Sequence, residues 1–158
     1  MRKNDELLVM HGEEMADTEG YHERFYRQEQ AIRDRDSKET QKNGVVYTPV
    51  AVGDFINESV NAILQREFGV TMDNPCVEIL DPFAGTGIFL SRAIENGLVD
   101  PGRQKVQQIE LMPDSAEIAR TNVEIAMEKS GNHGHVETNN ADTFTLNPDT
   151  LEAIEDGD

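Results

Sequence analysis

The chain has 158 residues, 37% of them hydrophobic, with 14 Lys/Arg against 31 Asp/Glu and a formal net charge of −17. That length fits one domain with a core of its own. The acidic balance and single cysteine argue against a self-sufficient grip on DNA and against a disulfide framework.

The charge is uneven. Residues 1–42 hold eight of the Lys/Arg, and none follows Lys129. So acidic a body is tolerated where salt screens its self-repulsion, and a halophilic host is one expectation. No apolar run reaches membrane-spanning length and no signal peptide precedes the chain, so no membrane partner and a cytoplasmic location are expected.

Residues 1–20 are polar and weakly periodic, and are expected to be a flexible N-terminus, with one short apolar run from Leu7 to Met10. Residues 21–43 read as a charged helical connector. Tyr21, Phe25 and Ile32 fall near one face, while Arg24, Arg27, Arg33, Arg35 and Lys38 alternate with acids. A solvated helix laced with ion pairs is the preferred reading, and an arm along DNA phosphates the alternative.

The main domain is expected over 44–146. Val45 to Thr48 is short and extended, and Pro49 then opens a helix with Thr48 as N-cap. Val52, Phe55, Ile56, Val60, Ile63 and Leu64 recur at helical spacing, which predicts a buried face, and Gly69 is the expected C-cap. A first central strand is expected from Cys76 to Leu80, with Cys76 buried. The run Asp81-Pro82-Phe83-Ala84-Gly85-Thr86-Gly87 closes it. Pro82 cannot extend a central strand, and the glycines permit positive φ and close approach of a ligand. Position 90 is Leu where a dinucleotide fingerprint has its third Gly, and no Gly-Lys-Ser/Thr is present. A carboxylate at the strand end repels phosphates and suits a cationic amino group.

Ile88 to Asn96 reads as a helix, Lys105 to Glu110 as a second strand with unusually polar content, and Pro113 to Ser130 as a long helix ended by Gly131. Glu110 lies 23 residues past Gly87, near where an acid meets ribose hydroxyls in a doubly wound sheet; the alternative is a surface glutamate. His133 and His135 have the spacing of a metal pair but no third ligand nearby, and a solvent-facing turn is preferred, so no metal is expected. Val136 to Thr143 reads as a third strand, and residues 147–158 as an acidic tail.

Three motifs in order resemble the DNA N6-adenine methyltransferases of gamma-type motif order. These are Gly44-Val45-Val46-Tyr47-Thr48-Pro49, Asp81-Pro82-Phe83-Ala84-Gly85-Thr86-Gly87 and Ile109-Glu110-Leu111-Met112. The arrangement is most similar to helicase-linked restriction-modification enzymes, over roughly residues 21 to 144. The resemblance implies an α/β, Rossmann-like S-adenosylmethionine-dependent methyltransferase fold, partial, with a helical N-terminal extension. It places Tyr47, Thr48 and Pro49 against the methionine part of S-adenosylmethionine, with Asp81 to Gly87 holding its amino-acid end. Glu110, beside Leu111, would take the ribose. Asp142-Thr143-Phe144 resembles a third motif, with Asp142 on the cofactor adenine and Phe144 over a ring; a plain turn is the alternative.

The family's Asn-Pro-Pro-Tyr does not occur. Asn74-Pro75 lies before the first strand, and Asn147-Pro148-Asp149-Thr150 follows Asp142 too closely for a crossover. The expectation is therefore the cofactor half of a site-specific methyltransferase, truncated before its catalytic loop. Its partners would be DNA in the complete enzyme and a C-terminal half, specificity subunit or helicase module. The alternatives are a non-catalytic S-adenosylmethionine-binding or partner module, and a methyltransferase acting on RNA or protein glutamine.

Overall fold

The computed structural model describes residues 20–35 and 48–146. The expectations for 1–19, for the stretch through Tyr47 and for 147–158 lie outside the described residues. Helices α1 (Gly20–Arg35) and α2 (Val50–Phe68) precede a β–α–β–α–β unit: β1 (Ile79–Asp81), α3 (Ile88–Glu95), β2 (Val106–Glu110), α4 (Pro113–Ser130) and β3 (Glu137–Asn140). The strands form a parallel sheet in the order β1-β2-β3, so β1 and β3 are its two edges among the described residues. Asp81 pairs with Gln108 and Glu110 with Asn140, which aligns the carboxyl ends of the strands.

Alternation along the strands assigns the two faces. Ile79, Val106 and Val136 meet Leu90, Ala93, Ile94, Val123 and Ala126 in the main core, so α3 and α4 cover this face. Leu80, Gln107, Ile109, Glu137 and Asn139 point the other way, and Leu80 is 46% exposed. The polar content of β2 is partly satisfied across the ladder, although Gln108 Oε1 is buried with no hydrogen-bond partner. Gln107 Nε2 donates to Glu137 Oε2 (2.7 Å) and Gln108 Nε2 to Thr138 Oγ1 (2.8 Å), each pair at one register position. These bonds offset part of the desolvation cost that disfavours Gln in a parallel strand.

Several expectations change. Helix α2 begins at Val50 with Pro49 as its N-cap, at φ −59° and ψ 144°, and no side chain caps it; Thr48 does not have that role. The Pro49 carbonyl itself accepts from the N–H groups of Val52 and Gly53 (2.9 and 3.0 Å). Most of the apolar stripe of α2 is not its buried face, although Leu64 packs against the main core. Phe55 is 69% exposed and Val52, Ile56, Val60 and Ile63 are also exposed, while Val50, Gly53 and Asn57 turn inward. Polar contacts decide this orientation: Asn57 Nδ2 donates to the Phe89 carbonyl (2.9 Å), and Arg92 grips both oxygens of Asp54 (2.8 and 3.0 Å). Such a fork of two charge-assisted bonds is the strong form of ion pair.

The first strand starts three residues later than expected, and Cys76 is exposed rather than buried. Asn74 holds the preceding residues in a turn by accepting the Cys76 N–H on Oδ1 (2.9 Å). The third strand is shorter than expected, Glu137–Asn140. Helix α1 is not simply solvated. Arg27 and Glu23 form an i,i+4 ion pair outside, but Phe25, Gln28 and Ile32 are buried. Phe25 packs with Val50 and Ile88, and Ile32 with Met112 and Ile118.

Candidate functional site

The loop after β1 is built by backbone hydrogen bonds that leave one side of it open. Ala84 N–H donates to the Ile109 carbonyl (2.9 Å), tying the loop to β2, and Gly87 N–H donates to the Ala84 carbonyl (2.8 Å). Gly85 and Gly87 adopt φ of +57° and +79°, the left-handed region that non-glycine residues rarely enter. Their reasons differ. A Cβ at Gly85 would meet nothing within 4 Å, so that residue faces free space; a Cβ at Gly87 would lie 3.0 Å from the Ala119 backbone, so that residue lets α3 and α4 touch.

Two carboxylates flank this turn. Glu110, at the end of β2, accepts the Gly85 N–H on Oε2 and the Met112 N–H on Oε1, both at 2.8 Å. Each oxygen keeps a second lone pair. Asp81, at the end of β1, accepts the Phe83 N–H on Oδ1 (3.1 Å), whereas its Oδ2 is buried with no hydrogen-bond partner. Burial pushes the Asp81 pKa above the usual aspartate value; the Phe83 N–H opposes this rise and the Glu110 charge adds to it. Ser91, Glu95, Gln108 and Ser115 also carry a buried oxygen without a hydrogen-bond partner, but only the Asp81 oxygen belongs to a carboxylate at the glycine turn, and such a group calls for an explanation.

The segment after β3 closes the same edge. Thr143 Oγ1 donates to the Pro82 carbonyl (2.6 Å), and the Phe83 and Phe144 rings lie 5.6 Å apart, tilted by 41°. Phe144 is 86% exposed and Phe83 60%, so their outer faces are open to a planar ligand. Asp142 is exposed and accepts the Phe144 N–H on Oδ1 (3.0 Å), while its carbonyl accepts from Thr145 and Leu146. It is thus a turn-forming residue whatever else it binds.

The structure therefore gathers Asp81, Pro82, Phe83, Ala84, Gly85, Thr86, Gly87, Glu110, Thr143 and Phe144 at the carboxyl edge of the sheet. Ala84 and Thr86 are buried within the turn, and Leu111 is half-exposed beside Glu110. Thr48 and Pro49 stand at the start of α2, next to Val50, which packs on Ile88. Tyr47 lies outside the described residues. His133 and His135 are exposed, and among the described residues no group of three His, Cys, Asp or Glu is placed to hold a metal. No helix among them is long and apolar enough to cross a membrane.

Asn122, buried on the inner face of α4, has a task that the sequence alone did not single out. Its Nδ2 donates to the Thr86 carbonyl inside the turn (2.8 Å) and to Gln28 Oε1 on α1 (3.0 Å). The available signal was an Asn among Ile118, Ala119, Val123 and Ala126, a polar side chain in an apolar stripe that must find partners.

The sheet edge thus offers an unpaired carboxylate oxygen to a cation, open space at Gly85, a second acid to hydroxyl groups and an exposed aromatic pair to a planar ring. No protein-family model matches the chain, and no curated protein does. Solved structures do. A DrdV–DNA complex matches with TM-score 0.61 and 23% identity, over 85% of this chain and 14% of that one. The nuclease-deletion mutant of the Type ISP restriction-modification enzyme LlaGI, in complex with a DNA substrate mimic, matches with TM-score 0.54 and 24% identity, over 80% of this chain and 13% of that one. The ATP-dependent Type ISP restriction-modification enzyme LlaBIII, bound to DNA, matches with TM-score 0.52 and 25% identity, over 71% and 10%. The chain shares its fold with a small segment of each of these large proteins.

Proposed function

We propose that this chain is the S-adenosylmethionine-binding part of a DNA adenine-N6 methyltransferase of a restriction-modification system. The observation that carries the reading is Asp81: a carboxylate at the end of the first strand, beside an open glycine turn, with one buried oxygen lacking a donor. The cofactor's ammonium would supply that donor, and its carboxylate would meet the N–H groups at the start of α3, which a helix N-terminus leaves unpaired. The purine would lie against Phe83 and Phe144. Glu110 would serve twice, holding the Gly85 N–H with one lone pair and a ribose hydroxyl with another. When bound, the cofactor supplies the electrophilic methyl group; these residues only hold and orient it.

The likeness to segments of Type ISP restriction-modification enzymes supports the system and makes DNA the proposed substrate of the complete enzyme. The catalytic Asn-Pro-Pro-Tyr is absent from the sequence, so the chain by itself would transfer no methyl group to DNA. A second reading is a non-catalytic S-adenosylmethionine-binding or partner module, which the net charge of −17 favours over a chain that grips DNA by itself.

The test is a calorimetric titration of the purified chain with S-adenosylmethionine in high salt. Micromolar binding, lost in Asp81→Ala without loss of the cooperative melt, is the expected result. Absence of binding by a chain that melts cooperatively would sink the cofactor site and leave the partner-module reading.

A further inference from the structure

The cofactor turn is held from a distance by the first helix. Asn122 has 0% of its surface exposed and Gln28 4%. Their amides bond reciprocally: Gln28 Nε2 donates to Asn122 Oδ1 (3.2 Å), and Asn122 Nδ2 donates to Gln28 Oε1 (3.0 Å). The second proton on Asn122 Nδ2 goes to the Thr86 carbonyl. Both protons of that nitrogen are thus spent, one on α1 and one on the glycine turn.

The bond to Thr86 matters because of what Thr86 is joined to. Its carbonyl and the Gly87 N–H belong to one planar peptide unit. Ala84 holds the N–H end (2.8 Å) and Asn122 the carbonyl end. Fixing both ends fixes the plane, and with it the φ of +79° at Gly87 and the entry into α3. An asparagine amide presents either nitrogen or oxygen to a neighbour, and only the nitrogen suits a carbonyl. The Thr86 carbonyl therefore selects the orientation of Asn122, and Gln28, bonded to it through both amide ends, holds that amide in its plane.

We infer that Gln28 is a positioning residue for the cofactor turn, acting through Asn122 on the Thr86–Gly87 peptide, so that the docking of α1 sets the turn's affinity for its ligand. The inference rests on the cofactor reading above. It gives α1 a regulatory meaning, since anything that pulls Gln28 out of its seat releases the amide that orients the turn. The polar pair is suited to this in a way that Phe25 and Ile32 are not, because apolar packing tolerates small rotations and a reciprocal amide pair does not.

The experiment combines affinity with amide exchange on the full chain. Gln28→Leu, Asn122→Leu and the double variant are titrated with S-adenosylmethionine, and exchange at the Gly87 N–H is followed by NMR. Ile32→Val serves as a control that loosens α1 without touching the amides. Each single variant is expected to lose affinity by about tenfold, the worth of one buried hydrogen bond. The double variant is expected to lose no more than either, with Gly87 exchange faster in all three. Ile32→Val should lower the melting temperature with affinity unchanged. Unchanged affinity in Gln28→Leu, additive losses in the double variant, or an equal loss in Ile32→Val at matched melting temperature would each overturn the inference. If the wild-type chain binds no S-adenosylmethionine, the cofactor reading fails by itself, and Gly87 exchange unaltered by Gln28→Leu would then refute the positioning role.

Discussion

Asp81 is where stability and binding pull in opposite directions. Its carboxyl takes a proton more readily in the folded chain than in the unfolded one, because burial disfavours the charge. A raised folded value means that its contribution is most favourable below the unfolded pKa and is lost as pH rises through the folded one. At neutral pH the unliganded chain therefore holds a destabilising charge. Asp81→Asn should raise the melting temperature of the free chain near pH 7, change it little in acid, and remove cofactor affinity. Thermal melts across pH, with and without ligand, check the sign; a lower melting temperature near pH 7 would contradict it. In the wild type, binding should weaken as pH falls through the raised Asp81 value, since a protonated carboxyl no longer attracts an ammonium. Residue-level chemistry of this kind was partly legible beforehand. An acid after a short strand and before Gly-Thr-Gly suggested a cationic ligand group, whereas burial of one particular oxygen depends on how α3 and α4 close over the strand end.

The two glycines of the turn separate ligand access from helix packing. Gly87→Ala places a Cβ 3.0 Å from the Ala119 backbone at a φ of +79°, and backbone cannot give way as a flexible side chain does. A loss of ~2–4 kcal/mol is expected from strain and overpacking together. Gly85→Ala meets open space and should cost only the left-handed strain, about 1–2 kcal/mol, while intruding where the ligand approaches. Denaturant unfolding of both variants beside ligand titration would show the contrast, and equal stabilities would refute it. Helix ends were legible because glycine marks them: Gly69 and Gly131 stand in the left-handed region after α2 and α4. The orientation of α2 was not. Periodicity located its apolar stripe correctly, but the contacts of Asp54 and Asn57 to α3 turn most of that stripe outward, and long-range polar pairing leaves no periodic trace.

Across the whole molecule, 31 acids against 14 Lys/Arg set the response to salt. Acids outnumber cations by more than two to one, so most cannot have a cation of their own, as Asp54 and Glu95 have in Arg92. Self-repulsion should lower stability at low ionic strength and recede as the screening length shrinks to about 3 Å at molar salt. Circular-dichroism melts from low to molar salt should climb steadily; a flat response would mean that the charges are too dispersed to matter. The α/β arrangement was readable before the fold was known, since Asp81 and Glu110 each close a strand that a helix follows. The polar ladder of Gln107 and Gln108 was harder to foresee, because its partners Glu137 and Thr138 are supplied by a strand 30 residues away.

The common direction of the three strands has a consequence for how the sheet can grow. Their carboxyl ends share one rim, and Asp81, Glu110 and the Asp142 turn stand on it. A strand added beside β1 delivers its own final residues to that rim only if it runs the same way. Two copies joined edge to edge about a two-fold axis would instead run antiparallel. They would set their glycine turns at opposite ends of a six-stranded sheet. Polarity alone thus separates an addition that can complete this rim from one that merely hides an edge.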